Sequence, residues 1–427
     1  MRPSPNLTGR SLSRQLWLAC AAGFVVRLII VLFLDVPTVP NIEYSAIAHN
    51  LISGHGYALA WSDGTISNIL PSAFMPPLET LIHFVGYSLL GYGISGAKAI
   101  LILHCFFGAA FIFLIGSLTQ RVFNDHRTTL IAAWLAAVYP PFIYASLNFG
   151  ITAGGLLLEV ALLYYALKCF SEGKIKNFIL FGLVGGLFSL LRGEGLLYVG
   201  ALMIFLFWIN RNVAAKAFKQ ISLSIIIIAG ILSPWVIRNY ITLSELVVTS
   251  TSSGLNLWRG NNTYSNGSAW TEGGGPLWSS DELWNEARKH LSDGPSFELT
   301  YSRLYRDSAV QWISDHPGKA FTNDLAKAGI LWTVDLRSKD GSNPLYIVCY
   351  GLFICGGAIG IINLRKNKAF QNEPLKAFGS IVFIWCIVAT LVAMVFFPLP
   401  RFQVLLCGVL TPFAGYGIAE LTKKFRK

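Results

Sequence analysis

The chain has 427 residues, of which 54% are hydrophobic and only 13% are charged. Soluble proteins carry about 25% charged residues, and the mean hydropathy here is +0.55, so a water-soluble globular protein is excluded. The net charge of +11 fits either a nucleic-acid-binding protein or a membrane protein with cationic cytoplasmic loops. The distribution of the charges decides between these two classes.

Apolar segments near the length of about 20 residues that crosses a bilayer recur along the chain. They predict an all-α integral membrane protein with about ten transmembrane helices, at residues 15–35, 97–119, 128–147, 152–170, 177–192, 193–210, 219–236, 344–364, 376–397 and 402–421. The apolar stretch that follows Pro76 and Pro77 is too short to cross. Residues 78–91 are therefore predicted to form a juxtamembrane helix along the interface.

The positions of the basic residues predict the orientation. With residues 78–91 not counted as a span, nineteen lysine and arginine residues fall on one side of the membrane. The short connections on the other side hold only Lys98, Arg192 and Arg401. Because basic loops stay in the cytoplasm, both termini of this multi-pass inner (plasma) membrane protein are predicted to be cytoplasmic. The basic excess is thus a topology signal, and no nucleic-acid partner is expected.

Two long segments, residues 36–96 and 237–343, then face outward, to the periplasmic or extracellular side. The second carries ten basic and twelve acidic residues, which is typical of a folded domain. In it, Ser280 predicts a helix start, and Phe297 to Trp312 has helical spacing. The predicted domains are a transmembrane region over 1–236 with the first outer loop, a mixed, mainly helical soluble domain over 237–343, and C-terminal transmembrane helices over 344–427.

Charged residues stand at the outward ends of the predicted spans: Asp35, Glu43, Arg192, Glu194, Arg238 and Arg401. Guanidinium forks match phosphate oxygens, and a carboxylate accepts a proton from a hydroxyl, so an outward pocket for a phosphate-bearing substrate is predicted. In the alternative, these arginines reach lipid headgroups, or Arg192 and Glu194 form a structural pair. Arg27 lies within the first span, where a structural pair with Glu159 or a substrate contact is expected.

Missing motifs narrow the function. The sequence has no Gly-x-x-x-x-Gly-Lys-Ser/Thr loop, which argues against an ATP-driven pump. It has no Asp-x-Asp pair, which nucleotide-sugar enzymes commonly use for a metal-bound diphosphate. An outward site needs a donor that has already crossed the membrane, and a polyprenyl-phosphate sugar is such a donor. No histidine spacing matches a metal site and no cofactor is assigned, while assistance by a divalent metal is left open.

Seven strings carry a family resemblance: EYSAIAHNLISGHGYA from Glu43, PSAFMPPLETLI from Pro71, LLRGEGLL from Leu190, SPWVIRNY from Ser233, SSGLNLWRGNN from Ser252, AVQWISDHPGKAF from Ala309 and PRFQVLLCGVLTPFAGYG from Pro400. In this order they resemble the bacterial membrane glycosyltransferases of the C-type superfamily, related to protein O-mannosyltransferases and to the lipid A aminoarabinose transferase. The resemblance runs from the first predicted span to the last.

The resemblance implies an inverting transferase that moves a sugar from a polyprenyl-phosphate donor to an envelope acceptor (a lipid, a polysaccharide or a protein) on the outer face, among membrane lipids. The family carries a catalytic aspartate three or four residues before a tyrosine, here Tyr44. This chain has Pro40 and Asn41 at those positions. Glu43 is therefore the leading candidate for the base and Asp35 the second, and an altered active site is the remaining option.

The other candidate roles follow from residue type beside these strings. For the donor phosphate they are Arg238, Arg401 and Arg192. For the sugar or the acceptor they are Tyr44, Trp235, Tyr240, Trp258, Asn261 and Asn262. Two rival functions are kept: a transporter or flippase of lipid-linked sugars, and a catalytically inactive lipid-binding homologue.

Overall fold

The structure is a computed structural model that describes residues 9–35, 42–62, 67–271, 277, 280–339, 341–366 and 372–424. Helices dominate these residues, which confirms the predicted all-α membrane protein. The helices are α1 (Gly9–Phe33), α2 (Glu43–Ile52), α3 (Pro77–Leu90), α4 (Ile94–Phe123), α5 (His126–Val138), α6 (Pro140–Ser146), α7 (Thr152–Glu172), α8 (Ile175–Leu191), α9 (Gly195–Ile209), α10 (Ala214–Leu243), α11 (Ser253–Gly260), α12 (Asp281–Ala287), α13 (Phe297–Asp315), α14 (Pro317–Trp332), α15 (Pro344–Lys366), α16 (Glu373–Val395) and α17 (Pro400–Lys424). Two strands, β1 (Ala58–Ser62) and β2 (Ser67–Pro71), pair antiparallel between α2 and α3.

Within the described ranges, seven helices are long and apolar enough to cross a membrane, and α5 with α6 forms an eighth segment bent by 54°. The other two predicted spans coincide with α8 and α9, which have 17 and 15 residues. At about 1.5 Å per residue both are shorter than a bilayer core of about 30 Å. The helices α8 and α9 are consecutive. The segments that follow them therefore lie on the same side of the membrane if both helices cross it and if both enter and leave on one side. The total of ten spans stays a prediction.

The predicted short helix after the double proline is present as α3, with 14 residues. Pro77 occupies its first turn, where a missing N–H has no intrahelical partner to lose. Gly91 ends it with a φ of 81°, a conformation that favours glycine. One face of α3 is buried and carries Glu79, His83 and Tyr87. Its placement along the membrane interface stays a prediction.

Arg27, completely buried in α1, stabilises the bend between α5 and α6. Its guanidinium donates to the carbonyl oxygens of Ala137 at 3.0 Å and Ala136 at 3.3 Å. In a continuous helix these two carbonyls would accept from the residues four positions later. Those residues are Pro140 and Pro141, which have no N–H. The arginine therefore supplies two donors that the backbone lacks.

The expected pair between Arg27 and Glu159 is wrong, because no such contact exists among the residues that the structure describes. Arg27 uses backbone carbonyls as partners instead. Glu159 lies in α7 and interacts electrostatically with Arg192, at the end of α8. A carboxylate was expected beside Arg27 because the sequence does not reveal which free carbonyls a neighbouring helix offers.

Residues from 47–74 and from 235–309 contribute to one hydrophobic core. The ring of Trp61 on β1 contacts that of Phe297 on α13 edge to face, with 5.2 Å between centroids. The predicted helix start is confirmed, since the Ser280 side chain accepts from the N–H of Leu283. The predicted helix from Phe297 to Trp312 is confirmed as part of α13. The division at residue 237 stays a prediction.

Candidate functional site

Five charged side chains from different segments come together in the fold. They are Glu43 at the start of α2, Arg192 just after α8, Glu194 just before α9, Arg259 in α11 and Arg401 in α17. The charge of Arg401 interacts with those of Arg192, Glu194 and Glu43. The charge of Arg259 interacts with those of Arg401 and Glu43. We call these five residues the arginine–glutamate cluster.

The aromatic ring of Phe402 is shared by two arginines of the cluster. Its centroid lies 5.1 Å from Cζ of Arg192 and 5.6 Å from Cζ of Arg401. Arg192 is 3% exposed, and its Nε and Nη2 both donate to Oε1 of Glu194, with Nε at 2.8 Å. Arg401 is exposed. One guanidinium is thus held by a carboxylate, while the other presents its charge at the surface, an arrangement suited to binding an anion.

Arg259 is the member of the cluster that sequence reasoning did not select. It is buried, its Nε donates to the carbonyl oxygen of Leu277 at 2.7 Å, and its Cζ lies 4.6 Å from the ring centroid of Phe397. Burial, and then the positive charge of Arg401, lower the pKa of Arg259 to about 10. The only signal in the sequence is its position between Trp258 and Asn261 in one of the resemblance strings.

Glu43 and Tyr44 open α2 beside these arginines. Glu43 is partly exposed, and within the described part of the chain its carboxylate makes no hydrogen bond or ion pair. The charges of Arg401, Glu79, Glu43 and Arg192 all act on Tyr44, whose pKa is raised by burial. A carboxylate that is near cations but not engaged by them remains available to accept a proton.

Asp35, the second candidate for the base, is exposed just after α1. Pro40 and Asn41, which occupy the family's aspartate positions, lie outside the described residues. The structure brings Glu43 to the cluster, whereas Asp35 is exposed at the end of α1.

Arg238 has a different position from the other predicted arginines. Its Nη1 donates to the carbonyl oxygen of Ser72 and its Nη2 to that of Tyr57, both at 2.6 Å. These two residues flank the β1–β2 hairpin, so the guanidinium joins its two ends. The ring centroids of Tyr57 and Trp235 each lie 5.4 Å from its Cζ. The guanidinium of Arg238 is thus engaged by backbone carbonyls and aromatic rings.

Four of the predicted sugar-binding residues, Trp235, Trp258, Asn261 and Asn262, have structural contacts. Trp235 donates from Nε1 to the carbonyl of Thr249, and the buried Trp258 ring meets Tyr305 edge to face. The side-chain amide nitrogens of Asn261 and Asn262 donate to backbone carbonyls of α11, and that of Asn261 also donates to the carbonyl of Val395 at the end of α16. Tyr240 is exposed on α10.

A buried network of Glu79, His83 and His104 lies behind Tyr44. Oε1 of Glu79 is 3.0 Å from Nε2 of His104 and 3.4 Å from Nε2 of His83. Nδ1 of His104 is 2.9 Å from the carbonyl oxygen of Asn148, so Nδ1 carries hydrogen. The other ring nitrogen of His104, Nε2, faces the Glu79 carboxylate. Although burial alone would raise it, the pKa of Glu79 is held below its ordinary value by the two histidines.

This network also holds the helix that carries Glu43. Nδ1 of His83 is 2.9 Å from Oγ of Ser45, and that hydroxyl is 3.0 Å from the hydroxyl of Tyr87. Ser45 lies one residue after Tyr44, so the contact ties the start of α2 to α3. Across the described ranges, no group of three histidine, cysteine, aspartate or glutamate side chains is arranged to hold a metal ion. Whether a divalent metal assists the reaction is to be determined by assay.

Residues 75–237 match the family model described as dolichyl-phosphate-mannose-protein mannosyltransferase. The match covers α3 to most of α10, including Arg192 and Glu194. No curated protein sequence matches the chain.

Solved structures of similar fold come from an archaeal oligosaccharyltransferase. AglB from Archaeoglobus fulgidus, in complex with an inhibitory peptide and a dolichol-phosphate, has a TM-score of 0.53 and 15% identity over 95% of this chain and 51% of that chain. The Archaeoglobus fulgidus oligosaccharyltransferase in complex with Zn and sulfate has a TM-score of 0.51 and 15% identity, covering 96% and 49%. The chain thus spans about half the length of these relatives.

ArnT from Cupriavidus metallidurans, bound to undecaprenyl phosphate, is also similar, with a TM-score of 0.44 and 14% identity over 92% of this chain and 77% of that chain. The fold shared with the oligosaccharyltransferases and the family match over residues 75–237 agree with each other. They confirm the resemblance of this multi-pass membrane protein to the C-type membrane glycosyltransferases that was expected from the sequence.

Proposed function

We propose that the chain is an inverting glycosyltransferase that moves a sugar from a polyprenyl-phosphate donor to an envelope acceptor on the outer face of the membrane. The observation that carries this proposal is the arginine–glutamate cluster, in which Glu43 stands beside Arg401 and Arg259. An anion-binding group and a proton acceptor at one place are the two elements that the reaction needs.

The proposed step is a single displacement at the anomeric carbon. The acceptor hydroxyl oxygen forms a bond to that carbon while the bond from the carbon to the phosphate oxygen breaks. The electron pair of the breaking bond goes to the phosphate, and the hydroxyl proton goes to Glu43. The products are the glycoside of inverted configuration, polyprenyl phosphate and protonated Glu43.

The arginines favour this step because the charge of the donor phosphate grows during it. A phosphodiester carries one negative charge, and the departing phosphate monoester develops a second. Fixed cations therefore stabilise the transition state more than the bound donor. Arg401, exposed above the Phe402 ring, is proposed as the main phosphate ligand, with Arg192 and Arg259 as its supports.

Release of the lipid product tests the proposal. Purified protein in lipid nanodiscs is incubated with undecaprenyl phosphate carrying radiolabelled mannose, glucose or galactose, and free undecaprenyl phosphate is followed. Membranes from cells lacking the chain supply the acceptor, and a parallel series contains EDTA. We expect release and labelled acceptor with one of the three hexoses. Release from none of them contradicts the transferase, and passage of intact donor across vesicles would support a transporter instead.

The outer location makes a separate prediction about accessibility. Single cysteines at the exposed positions Thr263 and Ser296 should react with a membrane-impermeant maleimide in intact cells, whereas a cysteine at the exposed Asn212 should react only after permeabilisation. Ser265 is unsuitable as a labelling position because its side chain is buried and donates to the carbonyl of Gly260. Labelling relative to the parent chain is measured by mass shift. Protection of both outer positions would reverse the orientation.

A further inference from the structure

An open cleft lies beside the arginine–glutamate cluster, between α7, α8, α9, α16 and α17, with about 390 Å³ of space when the open solvent at its mouth is included. Three charged side chains (Glu159, Arg192 and Glu194) and four aromatic side chains (Phe188, Tyr198, Trp385 and Phe402) line it. The proposed chemistry uses Arg192 but gives no role to Glu159.

Glu159 is completely buried in α7, and neither oxygen of its carboxylate finds a hydrogen-bond partner among the described side chains and backbone. Its position depends on a glycine in the facing helix. A Cβ added to Gly408 of α17 would lie 2.5 Å from Oε1 of Glu159. A carboxylate inside a helical bundle is costly unless something pairs with it, which makes a functional partner the default expectation.

Arg192 provides a hydrogen-bond donor in the same cleft. Nε and Nη2 are engaged by Glu194, but Nη1 is buried without a hydrogen-bond acceptor in the part of the chain that the structure describes. The guanidinium lies against Gly155, where an added Cβ would be 4.0 Å from Nη1. Gly155 is four residues before Glu159, so the two positions share one face of α7. A donor and an acceptor thus lie about one helical turn apart.

The charges of these side chains determine which class of ligand fits the cleft. A phosphate would meet the two carboxylates of Glu159 and Glu194, and a cation would meet Arg192. An isoprenoid chain would leave the Glu159 carboxylate and Nη1 of Arg192 without partners at a large cost. Neighbouring hydroxyl groups both donate and accept, so they can satisfy Glu159 and Arg192 together. Tyr198 and Trp385, whose ring centroids are 4.3 Å apart, supply aromatic surface on the cleft.

We infer that this cleft binds the sugar ring of the donor, with hydroxyl groups that donate to Glu159 and accept from Nη1 of Arg192. The inference rests on the proposed function, since it places the sugar next to the arginines that receive its phosphate. Glu159 is then a specificity-determining residue for the sugar. It takes no part in proton transfer at the anomeric carbon.

The test compares affinities for two lipids that differ only by the sugar. Binding of undecaprenyl phosphate and of the hexose-loaded lipid that the wild type prefers is measured in nanodiscs by displacement of a radiolabelled donor. In Glu159→Leu, affinity for the sugar-bearing lipid should fall by roughly 10- to 100-fold, the range of a hydrogen bond to a charged group. Affinity for undecaprenyl phosphate should stay within about twofold, because that lipid has no sugar.

Two further variants distinguish the loss of a contact with the sugar from a change in the fold. Glu159→Gln keeps an acceptor oxygen and should recover part of the lost affinity. Glu172→Gln changes a carboxylate at the far end of the same helix, where Glu172 pairs with Arg121, and should leave the ratio of the two affinities unchanged. An equal loss for both lipids in Glu159→Leu, or no loss for either, would overturn the inference. Absence of product release by the wild type is a different result, because it contradicts the proposed function and is measured separately.

Discussion

Replacing Glu43 with glutamine should lower sugar transfer by about 10²- to 10⁴-fold, the range for loss of a general base, while the affinity for the donor stays near its original value. Glutamine keeps the size of the side chain but does not accept the hydroxyl proton. Glu43 is partly exposed and makes no ion pair in the described ranges, so the change removes little that supports the fold. Initial rates of transfer and equilibrium donor binding are measured on the same preparation.

Asp35→Asn is the matched control for Glu43→Gln. It removes the other carboxylate near the start of the first outer loop, and we expect its transfer rate to stay within about twofold of the wild type. If Asp35→Asn abolished transfer and Glu43→Gln retained it, the base would be Asp35. If neither change mattered in an active protein, the carboxylate mechanism in this loop would be wrong.

Replacing Arg401 with glutamine should slow transfer by about 10²- to 10³-fold and also weaken donor binding. The guanidinium is exposed above the ring of Phe402 and interacts with the charge of Glu43, so its removal takes a cation from the proposed phosphate position. Arg401→Lys keeps the charge and loses the two-pronged geometry, and should recover only part of the rate. Transfer rates and donor affinity of the three proteins provide the measurement.

Arg238→Gln distinguishes a phosphate ligand from a structural arginine. It breaks the contacts to the carbonyls of Tyr57 and Ser72, so the thermal midpoint of unfolding should fall, while the rate per folded molecule changes little. The opposite pattern, with a stable but inactive Arg238→Gln and an active Arg401→Gln, would exchange the roles of the two arginines.

The membrane fold follows from the sequence because hydropathy and length act locally. The break between α5 and α6 could also be anticipated, since two consecutive prolines remove two helical donors. The partner of Arg27 could not, because it depends on which helix packs beside α1. An arginine in a span suggests a carboxylate as its partner, and Glu159 was the carboxylate expected from the sequence. The guanidinium instead donates to the carbonyls of Ala136 and Ala137.

The arginines of the site show the same limit. Arg238 and Arg259 each follow a short apolar or aromatic stretch and precede asparagine within two residues, so their surroundings in the sequence are alike. Only the fold turns Arg238 toward the base of a hairpin and Arg259 toward Arg401 and Glu43. Glu43, Arg192 and Arg401 were selected from the sequence because they adjoin the ends of predicted spans, but their mutual proximity depends on the packing of α2, α8 and α17.

The contact of Arg27 with the break after α5 has a consequence for biogenesis. During synthesis α1 emerges from the ribosome long before Pro140 and Pro141, and an arginine near the centre of a lone helix opposes insertion by about 2.5 to 3.5 kcal/mol. The strongly apolar remainder of α1 offsets this cost, but the guanidinium has to stay near the translocon or a headgroup until α5 and α6 arrive. Stable lateral release of the first helix into lipid is thus coupled to the synthesis of the third predicted span, residues 128–147.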